Sequence, residues 1–216
     1  DRDEAEDVDR HQRFVDAAVR SILDQSFADF EFVIVDDASV DRSPDIVASF
    51  HDPRIRVIAQ GARLGLTRSL NQGLAGARGE YVARFDANDV SRHDRLAHQV
   101  AFLDAQPDVV AVGSRARQIR RNGAVARSRI VPALTAAGID WALMFHAALL
   151  HPAAMFRRAV VERLGGYDER FVVSQDVDLW SRLATVGRLA NLPPELPHPR
   201  AAPCSISGSR NPARRP

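Results

Sequence analysis

The segment VIVDDASVDRS places two adjacent carboxylates, Asp36 and Asp37, at the end of a β-branched apolar run, with Ser39 and Asp41 close behind. A second run, EYVARFDAND, ends in Asp86, Asn88 and Asp89. Carboxylates gathered in one place repel one another unless something positive or hydroxyl-rich lies between them. Hard oxygen donors of this kind suit Mg²⁺ or Mn²⁺ bridging a diphosphate, or else a polyol. A third acid, Asp176, stands three, four and seven residues before Leu179, Trp180 and Leu183, on the helical stripe that faces a core. Asp178 points about 200° around the same helix, and Arg182 follows four residues later, the spacing of a surface ion pair. Asp176 is therefore the candidate general base.

Other roles for these residues stay open. Asp36, Asp37 and Asp41 also suit turns and caps, Asp86 and Asp89 suit the start of the next helix, and Asp176 suits a helix dipole. His146 and His151 sit in apolar surroundings, where a satisfied core or loop histidine is the ordinary case. Arg63 and Arg84 are candidates to reach a phosphate.

The elements that must position these groups follow from periodicity and turn residues. Phe14 to Ser26 reads as an amphipathic helix, with Arg20 and Asp24 paired on its outer face. FEFVIVDD reads as a buried strand, followed by a helix with Ser43 as N-cap and Pro44 at its first position. RIRVIAQ, EYVARFD and DVVAVGSRARQI read as further strands. Between them lie the helices GLTRSLNQGLAGA and SRHDRLAHQVAFLDAQP, the second capped by Ser91. After Gly123 the rhythm weakens: HPAAMFRRAVVERLGG is a short strand running into a helix closed by Gly165 and Gly166, and SQDVDLWSRLATVG is a helix capped at Ser174. Strands separated by helices predict a single α/β domain, a mostly parallel sheet flanked by helices. In such a sheet the carboxyl ends of strands share one edge, which is where Asp36 and Asp86 belong.

Composition narrows the chemistry. The 29 basic residues nearly cancel 28 acidic ones, which gives no electrostatic ground for a nucleic-acid partner. All of the basic residues are arginine, so a P-loop and Schiff-base chemistry are excluded. The same lack of lysine argues against a phosphoacceptor signalling domain, which VIVDD alone would suggest. Cys204 stands alone, without a disulfide framework or zinc cluster, and a reducing compartment fits. No stretch approaches the roughly 20 apolar residues of a membrane span.

FEFVIVDDASVDRS, LGLTRSLNQGLAGARGEYVARFDANDVS, HPAAMFRR and LGGYDERFVVSQDVDLWSRLA resemble, in order, the successive blocks of family 2 glycosyltransferases. The likeness runs from about Phe14 to Pro193. It implies the GT-A fold, Rossmann-like, and inverting transfer of one sugar from a nucleotide-diphosphate sugar, UDP- or GDP-linked, to a carbohydrate or lipid-linked acceptor. The nucleotide side would then comprise Asp36, Asp37, Ser39, Asp41, Arg63, Gly65 and Asn71. Asp86, Asn88 and Asp89 would hold Mg²⁺ or Mn²⁺, Asp176 would be the base, and His151 and Asp178 would lie on the acceptor side. No Gln-x-x-Arg-Trp motif of the processive synthases follows the base, so a single transfer is implied. Residues 14–122 would bind the donor and 123–193 the acceptor. Residues 194–216, rich in Pro, Ala and Arg, are expected to be a loose tail.

Three departures accompany the likeness. The acidic DRDEAEDVDRHQR, residues 1–13, stands where the family has an apolar first strand, so that strand is expected to be missing. Asn88 replaces an acid in the metal block, and Ala202 stands where the family often has histidine, with His198 out of register. The competing expectation is a truncated, non-catalytic homologue that serves at most as a binding module. Either form is expected in the cytoplasm, with peripheral attachment at the inner face of the membrane left open and cell-envelope or exopolysaccharide synthesis as its setting.

Overall fold

The computed structural model describes residues 14–115 and 132–192. The acidic start, the boundary expected at 122/123, and the tail with His198, Ala202 and Cys204 lie outside the described residues. Helix α1 covers residues 14–23 and buries Ala18, Val19 and Ile22, the stripe that its spacing predicts. Arg20 pairs with Asp16, at 2.8 Å, and not with Asp24. The helix ends before residue 24, so Asp24 has left the face that Arg20 shares with the preceding turn.

Strand, helix and strand then alternate: β1 (Phe32–Asp36), α2 (Ser43–Ala48), β2 (Ile55–Ala59), α3 (Leu66–Gly76), β3 (Tyr81–Ala83), α4 (Arg95–Ala105) and β4 (Val109–Gly113). The later part holds α5 (Ala136–Leu143), a 3-10 turn (His151–Ala153), β5 (Met155–Arg157), α6 (Arg158–Arg163), α7 (Gln175–Ala184) and β6 (Arg188–Asn191). β3 is shorter than EYVARFD predicts, so Asp86 lies on the loop beyond the strand and not at its last residue. Gly165 and Gly166 close α6 as expected, with φ of 86° and 72°, the left-handed region that glycine enters without penalty.

The expected serine caps are not used as caps. Arg42 occupies the cap position of α2, and it is the Asp41 carboxylate that accepts from the Ser43 N–H at 2.9 Å. Ser91 is buried short of α4, where its backbone N–H donates to Ser21 Oγ at 2.9 Å; the cap position of α4 is Asp94. Ser174 precedes α7 in the left-handed region at φ 60° and caps nothing through its side chain.

The strands form two sheets, and they are less uniformly parallel than the alternation predicts. β1 and β2 pair in parallel, and a second sheet has the order β3-β5-β4-β6. β5 runs antiparallel to both of its neighbours, while β6 returns parallel to β4. The late strand β5 follows a loop and a 3-10 turn and needs no helical crossover, so its direction is unconstrained by the earlier rhythm. α5, α6 and α7 cover this sheet, and Trp180, Leu179, Leu183, Phe156 and Val161 make its dry core. The outcome is an α/β domain of sheets flanked by helices. Between the facing edges of β1 and β3 lies a cavity of about 1030 Å³.

Candidate functional site

Loops after β1, β2 and β3 and the start of α7 carry the candidate residues. Asp36 ends β1, and its Oδ1 accepts from the Ser39 N–H at 3.0 Å, closing a turn in which Ala38 takes φ 54°. Asp37 turns the other way, and its carboxylate accepts from the Leu64 and Gly65 N–H groups at 2.7 and 3.0 Å. These amides precede α3, so Asp37 binds the loop after β2 to the loop after β1. Gly65 holds φ 88°, a value that a side chain would strain. Arg63 on the same loop is exposed. The structure therefore brings Asp36, Asp37, Ser39, Arg63 and Gly65 to one edge, with Asp41 tied into the start of α2.

Asn71 faces elsewhere. Its side-chain amide donates to Tyr167 O at 2.9 Å, and its Oδ1 accepts from the Tyr167 N–H at 2.8 Å. Gly166 leaves no room for a Cβ beside that oxygen, which lies 2.8 Å from the position such an atom would take. Thr67 Oγ1 donates to Phe171 O at 2.7 Å from the same helix. Together they clamp the loop that leads into α7 against α3. Nothing in the sequence pattern signals this clamp, because it joins residues nearly a hundred positions apart.

Past β3, Arg84 and Asp86 form an ion pair at 2.5 Å, with Arg84 almost fully buried and Asp86 about 38% exposed. The contact is close but not directed: Nη1 and Nε of Arg84 both lack a hydrogen-bond acceptor among the described residues. We weigh the ion pair as the energetic fact, because charge attraction tolerates poor alignment that a hydrogen bond does not. The guanidinium thus has unused donors beside the acid loop. Asn88 and Asp89 are engaged in polar interactions of their own, and Asp89 is buried.

Arg84 also connects this loop to α7. His151 is buried, its Nε2 lies 2.9 Å from Tyr167 Oη, and its ring meets Trp180 edge-on. Burial, followed by the Arg84 charge, lowers the His151 pKa to about 3, so the ring is neutral. Burial raises that of Tyr167, with Arg84 opposing and Asp176 reinforcing the shift. Arg84, His151, Tyr167 and Asp176 therefore lie within electrostatic reach of one another. The His151–Tyr167 pair was not anticipated by spacing, although GGYD after a glycine-closed helix marks a tyrosine turned inward. Asp176 is half-buried in the first turn of α7. Asp178 is gripped by Arg182 at 2.6 Å, as its spacing predicts. Arg182 also donates to Leu164 O and Gly166 O, so Asp178 fastens α7 to the loop after α6.

Among the described residues no three His, Cys, Asp or Glu side chains gather as a metal-ligating cluster. A cage made of protein groups alone is therefore not what this loop offers. Asp86, the more exposed carboxylate, fits an ion that takes one or two protein oxygens and completes its shell with phosphate and water. No helix among the described residues is long and apolar enough to cross a membrane.

The family model described as Glycosyl transferase family 2 matches residues 10–165. The putative glycosyltransferase EpsE of Bacillus subtilis is 33% identical over 181 residues, covering 82% of this chain and 64% of that protein. The succinoglycan biosynthesis protein ExoO of Rhizobium meliloti is 31% identical over 185 residues, covering 80% of this chain and 53% of that one. Among solved structures, the mannosyltransferase PcManGT of Pyrobaculum calidifontis, in complex with GDP-Man and Mn²⁺, superposes with a TM-score of 0.63 at 25% identity, covering 84% of this chain and 51% of that one. The chain thus spans between about half and two thirds of the length of these proteins.

Proposed function

We propose, since this chain belongs to glycosyl transferase family 2, that it transfers one sugar from a nucleotide-diphosphate sugar to an acceptor hydroxyl with inversion, in cell-envelope or exopolysaccharide synthesis. The observation that carries this reading is the convergence of the Arg84–Asp86 loop with Asp176 around Tyr167. Two parts of the chain separated by ninety positions bring an anion-binding edge and a half-buried acid to one place. The naming of ExoO for succinoglycan biosynthesis and of PcManGT for GDP-Man supports the setting and the donor class.

In this reading the loops after β1 and β2 take the nucleoside, with Asp36, Ser39 and Arg63 presented to it and Asp37 holding the two loops in register. Unused Arg84 donors meet the diphosphate. A Mg²⁺ or Mn²⁺ ion held by Asp86, with Asn88 and Asp89 behind it, would offset the charge that develops on the leaving diphosphate. Asp176 takes the proton of the acceptor hydroxyl as its oxygen bonds to the anomeric carbon. The bond to the diphosphate breaks on the opposite face, and one displacement inverts the centre. His151, neutral, keeps the Tyr167 hydroxyl fixed beside the base. For a lipid-linked acceptor we place the protein at the inner face of the membrane. The exposed Trp141, Met144 and Phe145 on and after α5 support that attachment.

A second reading, a binding module without turnover, is favoured by the cavity that separates the β1 and β3 edges at this site. Asp176→Asn separates the two. As an active enzyme, the parent consumes UDP- or GDP-sugar and the variant retains nucleotide affinity while losing turnover by at least a hundredfold. Equal donor consumption by parent and variant would remove Asp176 as the base.

A further inference from the structure

The cavity between β1 and β3 has the dimensions of a missing β-strand, and its walls have the chemistry of one. The Phe32 N–H donates to Arg54 O and the Gln60 N–H to Asp36 O, at 2.7 and 2.9 Å, so Phe32, Ile34 and Asp36 turn their peptide groups toward β2. Val33 and Val35 turn theirs the other way, into the cavity. On the far wall the Arg84 N–H donates to Ala154 O and the Arg158 N–H to Glu80 O, both at 2.9 Å, which assigns the even positions to β5. Tyr81 and Ala83 therefore face the cavity too. Two strand edges confront each other with unpaired N–H and C=O groups, which a folded domain ordinarily satisfies.

Size agrees with this. A strand of five to six residues is ~17–20 Å long, and it occupies ~4.8 Å along the hydrogen bonds and ~10 Å through the sheet. Those dimensions enclose roughly 800–960 Å³, against about 1030 Å³ in the cavity. The remaining lining is mostly apolar: Val15 and Val19 of α1, Leu70 and Leu74 of α3, and Leu96 of α4.

We propose that this cavity is a binding slot for one apolar extended strand, joined to the start of α1 and running parallel to β1. α1 lines the slot, and a strand entering there would make α1 the crossover of a β-α-β unit, in the right-handed sense that such connections adopt. Each later helix up to α4 already follows a strand in that way. Residues 1–13 carry Ala5 and Val8 as their only apolar side chains and do not match these walls. Occupied, the slot joins both sheets into one, in the order β2-β1-strand-β3-β5-β4-β6, and brings the strand's carboxyl end between Asp36 and Asp86. This inference rests on sheet geometry and not on the proposed chemistry, so a failed nucleotide titration leaves it standing.

Backbone amide exchange at Val33, Val35, Tyr81 and Ala83 tests it. The unaltered chain is compared with one in which residues 1–13 are replaced by Thr-Val-Thr-Val-Ile-Val and a short polar loop, and with a third carrying proline at alternate positions of that graft. Exchange at the four amides should slow at least tenfold in the apolar graft and remain fast in the other two. Should the graft fail to fold, the same hexapeptide added free to the unaltered chain should slow these four amides. Exchange equally slow in the unaltered dilute chain, or unchanged in a folded graft or with free peptide, would overturn the proposal. Slowing that appears in the unaltered chain only as it dimerises would also overturn it, in favour of a second copy in the slot.

Discussion

The two sheets of this domain are made from similar residues and packed very differently. In the four-stranded sheet every residue of β4, VVAVG, is buried, and Trp180, Leu179 and Leu183 of α7 seal it without exposed apolar area. β1, FVIVD, is as apolar as β4, yet each of its residues is only half-buried. β-branched runs mark positions that a sheet buries on both faces, so β1 has the sequence of a central strand and the surroundings of an edge. The difference teaches that apolarity records the environment a segment is suited to, and that β1 is suited to one more neighbour than it has.

Substitutions should separate the two regions by size of effect. Trp180→Ala in the sealed sheet should destabilise by about 3–5 kcal/mol, measured as a shift in urea midpoint. Val35→Ala on the cavity wall should cost well under about 1 kcal/mol, because the removed methyl groups already border empty space. Comparable losses at the two positions would break the comparison.

Acid should attack the sealed region first. His151 is buried and neutral with its pKa lowered to about 3, while the unfolded chain takes up a proton near about 6.5. The unfolded state then binds more protons below that value, so stability is complete above about pH 6.5 and falls as pH drops toward about 3. Between pH 7 and 5 the loss should approach about 2 kcal/mol, and His151→Phe should flatten it in urea titrations at the two pH values. Of smaller size, Asn71→Ala leaves the buried Tyr167 N–H unpaired and should cost about 1–2 kcal/mol. It should also raise amide exchange in residues 167–173 selectively, which sharpens the view that α3 holds the α7 approach in place.

How much of this was legible depends on the range of each interaction. The strand-helix alternation through β4 followed from β-branched runs, Pro44, Gly79 and Pro107, all local signals. Ser43, Ser91 and Ser174 were plausible caps by type, but capping is decided by a few degrees of backbone at the helix start, and Asp41 and tertiary partners took those roles. β5 and β6 are short, and β5 takes its direction from neighbours far away in sequence. At the site, the placing of Asp36 and Asp86 beyond strand ends and the Asp178–Arg182 pair were readable from spacing. The anchoring of Asp37 to the α3 amides, the Asn71 clamp and the His151–Tyr167 pair were not, because each joins elements that no period connects.

The most direct test of the site is calorimetric titration of the purified chain with UDP and with GDP, each with and without Mn²⁺, repeated on Asp86→Asn. The account predicts binding of one nucleotide that requires Mn²⁺ and weakens at least tenfold in the variant. A folded chain that binds neither nucleotide, or binds one equally with Mn²⁺ absent and Asp86 replaced, would contradict it.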